Sequence, residues 1–289
     1  MSSIAENIKL AAQALQESGI NEPRREAGSL LAFALRKDKA FLIARPEYEL
    51  STEEETRFRE FLKRRAAREP FQHITGRQEF YGLDFVVTRD VLIPRPETEL
   101  IVENAIRILR DEENPAFCEV GVGSGCISVS ILHEVKTSTA TSLDISEKAL
   151  EIARLNAENN GVSNRLELKI SDVFEALDAK NEKFALIVSN PPYIPLEEVE
   201  TLQPEVRNFD PVSALTDGSG DGLSIIEKIV KQSPRFLKSG GFLLLEIGFN
   251  QARKVRGMFS PEMWQSAEIL PDLQGIPRTV IAERIKDTG

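Results

Sequence analysis

Apolar residues in the first third of the chain recur at helical spacing. Ile4, Ile8, Ala11, Ala12 and Leu15 fall on one face of a helix, with Ser2 or Ser3 placed to cap it. Asn21 and Pro23 open a second helix that carries Ala27, Leu30, Leu31 and Ala34, because proline is tolerated in a first helical turn. Ser51 with Glu54 reads as a capping box ahead of a third, whose apolar face is Phe58, Phe61 and Leu62. The period then changes. Residues 80–87 read as extended structure around Gly82, a hairpin bridging two domains. Beyond residue 95, short buried runs at 116–120, 140–143, 166–170, 184–188 and 242–245 alternate with helical stretches such as 127–132. That alternation predicts an α/β fold built on a mostly parallel sheet. The expected domains are a helical unit at 1–75, an extended linker at 76–94 and an α/β domain at 95–289.

A chain of 289 residues is comfortable for two such domains. It has no apolar stretch of membrane-spanning length and no signal-like start, so a cytoplasmic location without membrane attachment is expected. Cys118 and Cys126 are too few for a disulfide framework or a metal cluster, and neither His73 nor His133 has a ligand partner at metal spacing. No metal is expected. The formal net charge of −10 divides unevenly, about +2 over residues 1–77 and about −12 over the rest. The half with the sheet therefore lacks the basic footprint of a protein that approaches polyphosphate, and direct nucleic-acid binding is not expected. The best basic run, Lys63-Arg64-Arg65 with Arg68, follows Glu53, Glu54, Glu55 and Glu60 and reads as a solvated helix face.

Candidate chemistry sits at strand ends. The run at 184–188 stops at Asn190-Pro191-Pro192-Tyr193. Two prolines cannot continue a ladder, so the chain turns stiffly where α/β sheets bind ligands. Asn-Pro and Pro-Pro are also ordinary turn signals. On a rigid turn, the Asn190 amide oxygen and the Pro191 carbonyl are two acceptors suited to a planar NH2 group, and Tyr193 offers a ring face. Glutamine amides, adenine N6, cytosine N4 and guanine N2 share that donor pattern. Upstream, the run at 116–120 leads into Gly121-Val122-Gly123-Ser124-Gly125 and then a helix, a turn in which backbone can approach a ligand closely. Cys126 occupies the position a dinucleotide fingerprint gives to glycine, and no phosphate-binding G-x-x-x-x-G-K-[ST] run occurs. Asp144 ends the next strand about twenty residues on, where an acid meets a ribose. Asp172 with Val173 follows the third, placed to address an adenine amino group. The three strand ends point to one adenosyl-like ligand.

These residues resemble the class I S-adenosylmethionine-dependent methyltransferases, and the Asn190–Tyr193 tetrapeptide resembles their amino-group methylating branch. Other stretches resemble the release factor glutamine methyltransferases over nearly the whole chain: 93–99, Glu205-Val206 with 209–211, 245–248 with Gln251, and Asp272-Leu273 with Arg278. So do 73–82 and Arg24-Arg25-Glu26-Ala27 with Leu30-Leu31. Glu119 stands where that family commonly has Asp, Asp210 where it often has Glu, and Cys126 where Ala or Gly is usual. The resemblance implies a Rossmann-like class I methyltransferase sheet with one late antiparallel strand near 279–282 and a small N-terminal helical domain. It implies S-adenosylmethionine as cofactor, held by Gly121, Val122, Gly123, Ser124, Gly125, Asp144, Asp172, Val173 and Asn190. Asn190, Pro191, Pro192 and Tyr193 become the catalytic and substrate-binding residues. The implied substrate is the glutamine of the Gly-Gly-Gln loop in class 1 peptide chain release factors, with the helical domain helping to dock that partner. Glu97 and Thr98 are implied to lie near cofactor or peptide. The alternative is an amino-group methyltransferase acting on adenine N6 or guanine N2 of RNA or DNA. A non-catalytic protein that senses the cofactor would not need an intact Asn-Pro-Pro-Tyr.

Overall fold

The computed structural model describes residues 2–287 and divides the chain into two compact units. One comprises the residues up to Arg77 together with Gln203–Phe209, and the other comprises the remainder.

The first unit is helical, with helices at Ile4–Glu17, Pro23–Leu35, Lys39–Ala44, Thr52–Ala66 and Phe71–Thr75. Its first helix is capped by Ser3, whose hydroxyl accepts from Glu6 N while the Glu6 carboxylate accepts from Ser3 N at 2.9 Å. Ser51 and Glu54 repeat this box at the helix Thr52–Ala66. Ile4, Leu15, Leu30, Leu31 and Phe58 are buried together as its core. The basic run near residue 65 departs from the expected solvated face. Arg65 is buried and donates to Glu26 at 3.0 Å and to Glu205 at 3.1 Å, and Arg68 donates to the other Glu205 oxygen at 2.7 Å. Residues 203–209 are thereby built into the helical unit, a partnership between positions 140 apart that no local pattern announces.

The second unit takes in β1 (Arg77–Phe80) from Gln78 onward and β2 (Leu83–Val86), which pair as a two-stranded sheet. Phe80 and Phe85 pack into the main core, so the segment read as a linker contributes to it. The main sheet contains β3 (Ala116–Val120), β4 (Thr139–Asp144), β5 (Leu166–Ile170), β6 (Phe184–Ser189), β7 (Leu237–Glu246), β8 (Trp264–Pro271) and β9 (Pro277–Arg284), in the spatial order 5-4-3-6-7-9-8. Strands β3 to β7 run parallel to one another, and β9 runs antiparallel to both β7 and β8. The expected mostly parallel sheet with one late reversed strand is what forms. The edge strand β8 was not foreseen.

Alternate residues of the central strands feed two cores, as a sheet covered on both faces requires. Phe117, Leu186 and Leu244 join Ile101, Leu109 and Ile131 on one side. Cys118, Ile187 and Leu243 join Ile226 and Ile229 on the other. The order reverses between β3 and β6, so the carboxyl ends of β3, β4 and β6 border a crevice at the switch point. Among the described residues, no helix is long and apolar enough to cross a membrane.

Candidate active site

The glycine turn leaves β3 with Gly121, Gly123 and Gly125 at φ of +76°, +52° and +81°, values that strain any residue carrying a Cβ. Two of them serve different ends. A Cβ on Gly125 would stand 3.2 Å from Ala153, so this glycine lets the helix Cys126–Glu134 pack against the helix Glu147–Asn159. A Cβ on Gly123 would meet nothing within 4 Å and would occupy open space at the crevice. Gly121 N and Val122 N donate to Leu143 O at 2.8 and 3.0 Å, and Gly123 N donates to Asp144 Oδ2 at 2.9 Å. Ser146 N donates to Asp144 Oδ1 at 2.9 Å. Each carboxylate oxygen keeps lone-pair capacity for a further donor. Burial raises the Asp144 pKa, opposed by these N–H groups. Asn156 braces the turn from below, donating to Ser124 O at 2.8 Å and to Val86 O at 2.9 Å.

At the end of β6 the tetrapeptide is held from several directions. Asn190 Nδ2 donates to Thr98 Oγ1 at 3.1 Å, and Thr98 Oγ1 donates to Glu246 Oε2 at 2.7 Å. The Tyr193 hydroxyl donates to Glu246 Oε1 at 3.1 Å. Burial raises the Glu246 pKa, against hydrogen bonds from Thr98 and Tyr193 that lower it; burial also pushes the Tyr193 phenol up. The backbone is pinned as well. Gln251 Nε2 donates to Tyr193 O at 2.8 Å and to Asp221 O at 3.0 Å, while its Oε1 accepts from Gly248 N at 2.7 Å. Gly222 lies so close that a Cβ there would stand 2.1 Å from Tyr193 O.

One cavity, enclosing about 1060 Å³ with its open mouth, joins the two groups of residues. Gly121, Val122, Gly123, Ser124, Asp144, Asp172, Val173, Asn190 and Pro192 line it. Gly125, Pro191 and Tyr193 stand behind the lining: Pro191 is buried and the Tyr193 ring packs on the core. Asp172 is half exposed and accepts from Lys228 Nζ at 2.7 Å, a partner invisible to a reading of strand ends. Val173 sits at φ +52°, rare for a β-branched residue, where Ser171 Oγ donates to its carbonyl at 2.9 Å. Glu119 lies at the cavity floor and accepts from Ser128 N at 3.0 Å and from the Ser128 hydroxyl. Burial pushes its pKa up to about 8, opposed by the Ser128 bonds. Glu246 and Gln251 fall within family-like stretches that give them no role, and no local pattern marks Gly222 or Asn156. Apart from the local contact of Gln251 with Gly248, the partners that tie these residues to the site lie 29 to 148 positions away, so spacing carried no signal.

Residues 6–76 match the PrmC N-terminal domain, and residues 98–203 match the methyltransferase small domain. A release factor glutamine methyltransferase of Geobacter sulfurreducens is 43% identical over 266 residues, covering 92% of this chain and 91% of its own. The chain belongs to the release factor glutamine methyltransferase family. A second member of the release factor glutamine methyltransferase family, from Koribacter versatilis, is 39% identical over 270 residues, 93% of this chain and 94% of its own. Among solved structures, a methyltransferase from Pyrococcus furiosus superimposes with a TM-score of 0.52 over 72% of this chain and 91% of its own. At 17% identity that likeness is one of fold. For this release factor glutamine methyltransferase family member, the two matched regions cover the helical unit and the stretch from Thr98 through the Asn190 tetrapeptide.

Proposed function

We propose that this chain transfers a methyl group from S-adenosylmethionine to the side-chain amide nitrogen of the glutamine in the Gly-Gly-Gln motif of class 1 peptide chain release factors. The observation that carries this reading is that Asn190 and the glycine turn open on one cavity. A ligand bound against Gly123 and Asp144 is thereby brought within the same enclosure as a group held by Asn190.

The residues present fit the cofactor. Space beside Gly123 that a Cβ would fill allows close approach, and Asp144 retains acceptor capacity for ribose hydroxyls. When bound, S-adenosylmethionine supplies a methyl group on a sulfonium, already activated toward a nucleophile. Gly121 to Gly125 with Asp144, Asp172 and Val173 are the proposed holding residues. On the acceptor side, Asn190 Oδ1 and the Pro191 carbonyl would each take one amide hydrogen of the glutamine. Holding both hydrogens orients a nitrogen whose lone pair is otherwise delocalised, and favours the positive charge that develops on it. Tyr193 would support the amide plane. The proton lost from nitrogen leaves to solvent, so no strong general base is needed. The helical unit, 1–75, is the proposed docking element for the release factor, and a cytoplasmic location is proposed with that substrate.

Incubation with labelled S-adenosylmethionine and either purified release factor or total RNA tests the reading. Label on the Gly-Gly-Gln glutamine is expected. Label on RNA, with none on release factor, would replace the reading with the adenine or guanine alternative.

A further inference from the structure

Resting on the glutamine-methylation reading, we infer that Glu246, acting through Thr98, sets the donor–acceptor sense of the Asn190 side chain and so selects an NH2 group over an oxygen acceptor in the substrate. An asparagine amide has two nearly isosteric faces, one that accepts and one that donates. Which of them meets the substrate decides whether an amide nitrogen or a carboxylate oxygen is welcomed. The choice is made remotely. Glu246 is 1% exposed and receives two hydroxyls, Thr98 at 2.7 Å and Tyr193 at 3.1 Å. A carboxylate in that position accepts from both. The single Thr98 hydrogen is thereby committed, so Thr98 Oγ1 can only accept from Asn190. The 3.1 Å contact to Asn190 must then run through Nδ2, which leaves Oδ1 on the other branch of the amide. Thr98 is itself 2% exposed, so no bulk water competes for its lone pairs. The chain crosses 148 and 92 positions of sequence and ends at the cavity lining. Glu246 touches no substrate in this arrangement and is a positioning residue, as is Thr98 with respect to the amide sense.

Replacing Thr98 by the near-isosteric Val removes the anchor and frees the Asn190 amide to turn over. Glu246→Gln places a donor at one of the two hydroxyls and disturbs the same relay. Release factor turnover should fall on the order of 10²-fold in Glu246→Gln and about 10-fold in Thr98→Val, with Thr98→Ser recovering much of the latter. Because both act along one chain, the double variant should be no worse than the poorer single, whereas two unrelated packing defects would multiply. Wild-type enzyme should also bind a release factor carrying Gln→Glu in its motif at least 10-fold more weakly than the unmethylated Gln form, and both variants should lose that preference. Independently of any substrate, one Asn190 side-chain amide proton should exchange slowly with solvent by NMR in the wild type and rapidly in Thr98→Val. Variants that keep wild-type turnover and Gln-over-Glu preference, or fast exchange of both Asn190 protons in the wild type, would overturn the inference. A wild-type enzyme inactive on release factor, yet showing the protected proton, would remove the substrate reading and leave the orienting role standing.

Discussion

Gly123 and Glu119 lie four positions apart and test two different physical demands. At φ +52° with open space beside it, Gly123 is under no packing constraint, only a backbone one and that of the ligand. Gly123→Val should therefore leave the core intact while filling the approach to Asp144. Calorimetry should show S-adenosylmethionine binding abolished, with a thermal midpoint lowered only by the modest strain of a β-branched residue at positive φ. Glu119 is constrained by charge. Its carboxyl, raised to about 8 by burial, binds a proton in the folded chain that the unfolded chain has already released. A raised folded pKa means that the associated stability is complete below the ordinary carboxylate range and is lost as pH climbs toward 8. In the ligand-free protein, urea stability should decline between about pH 4.5 and about 8, with a contribution of up to about 1.4 kcal/mol per pH unit from this group. Glu119→Gln should remove that contribution. An unchanged slope in the variant would show that the carboxyl titrates normally.

At the scale of elements, the tetrapeptide loop is shaped by neighbours far along the chain. Gly222 leaves 2.1 Å between its missing Cβ and Tyr193 O, and the obstacle is backbone, which cannot rotate aside. Gly222→Ala should displace the loop, break the Gln251 bond to Tyr193 O and lower methyl transfer by at least 10-fold, while S-adenosylmethionine affinity changes far less. Wild-type turnover in this variant would mean that the loop is not a rigid platform. The same loop shows what a linear reading can and cannot see. β6 was legible because all six of its residues are buried and apolar or small, and it ends in prolines that halt a ladder. The glycine turn was legible because positive φ demands glycine locally. β8 was not, since as an edge strand it buries only Trp264 fully and shows no clean alternation. The short helices Lys39–Ala44 and Phe71–Thr75 are too brief for a period to declare itself. Asp144 ends β4 and Asp172 follows β5 by two residues, but one engages the glycine turn and the other Lys228, a difference set by tertiary contacts alone.

At the scale of the whole molecule, the question is what Gln203–Phe209 does inside the helical unit, since it begins at the last residue of the matched methyltransferase region. Glu205 holds it there. Burial alone would raise the Glu205 pKa, yet hydrogen bonds from backbone and from Arg68 and Arg65 outweigh that and leave it lowered. A lowered folded pKa means that the stabilisation is present above the ordinary carboxylate range and is lost as pH falls below it. Glu205→Gln should thus cost stability at neutral pH and progressively less in acid. The loss should stay below the about 3 to 5 kcal/mol expected for a fully stripped buried charge, because Arg65 keeps Glu26 and the Glu69 carbonyl. A chain truncated to begin at Gln78, which keeps Phe80 and Phe85 in the core and the cavity lining from Asp90 onward, loses Arg65 and Arg68 together with the proposed docking surface. It should still bind S-adenosylmethionine and methylate release factor with a much weaker apparent affinity. Full-length Glu205→Gln separates the two causes. If it keeps wild-type affinity for release factor, the truncated chain's defect belongs to the lost docking surface; if it reproduces the defect, the anchored segment 203–209 is the part that matters. Release factor methylation by the truncated chain at wild-type affinity would eliminate both roles and leave the helical unit a stabilising cap.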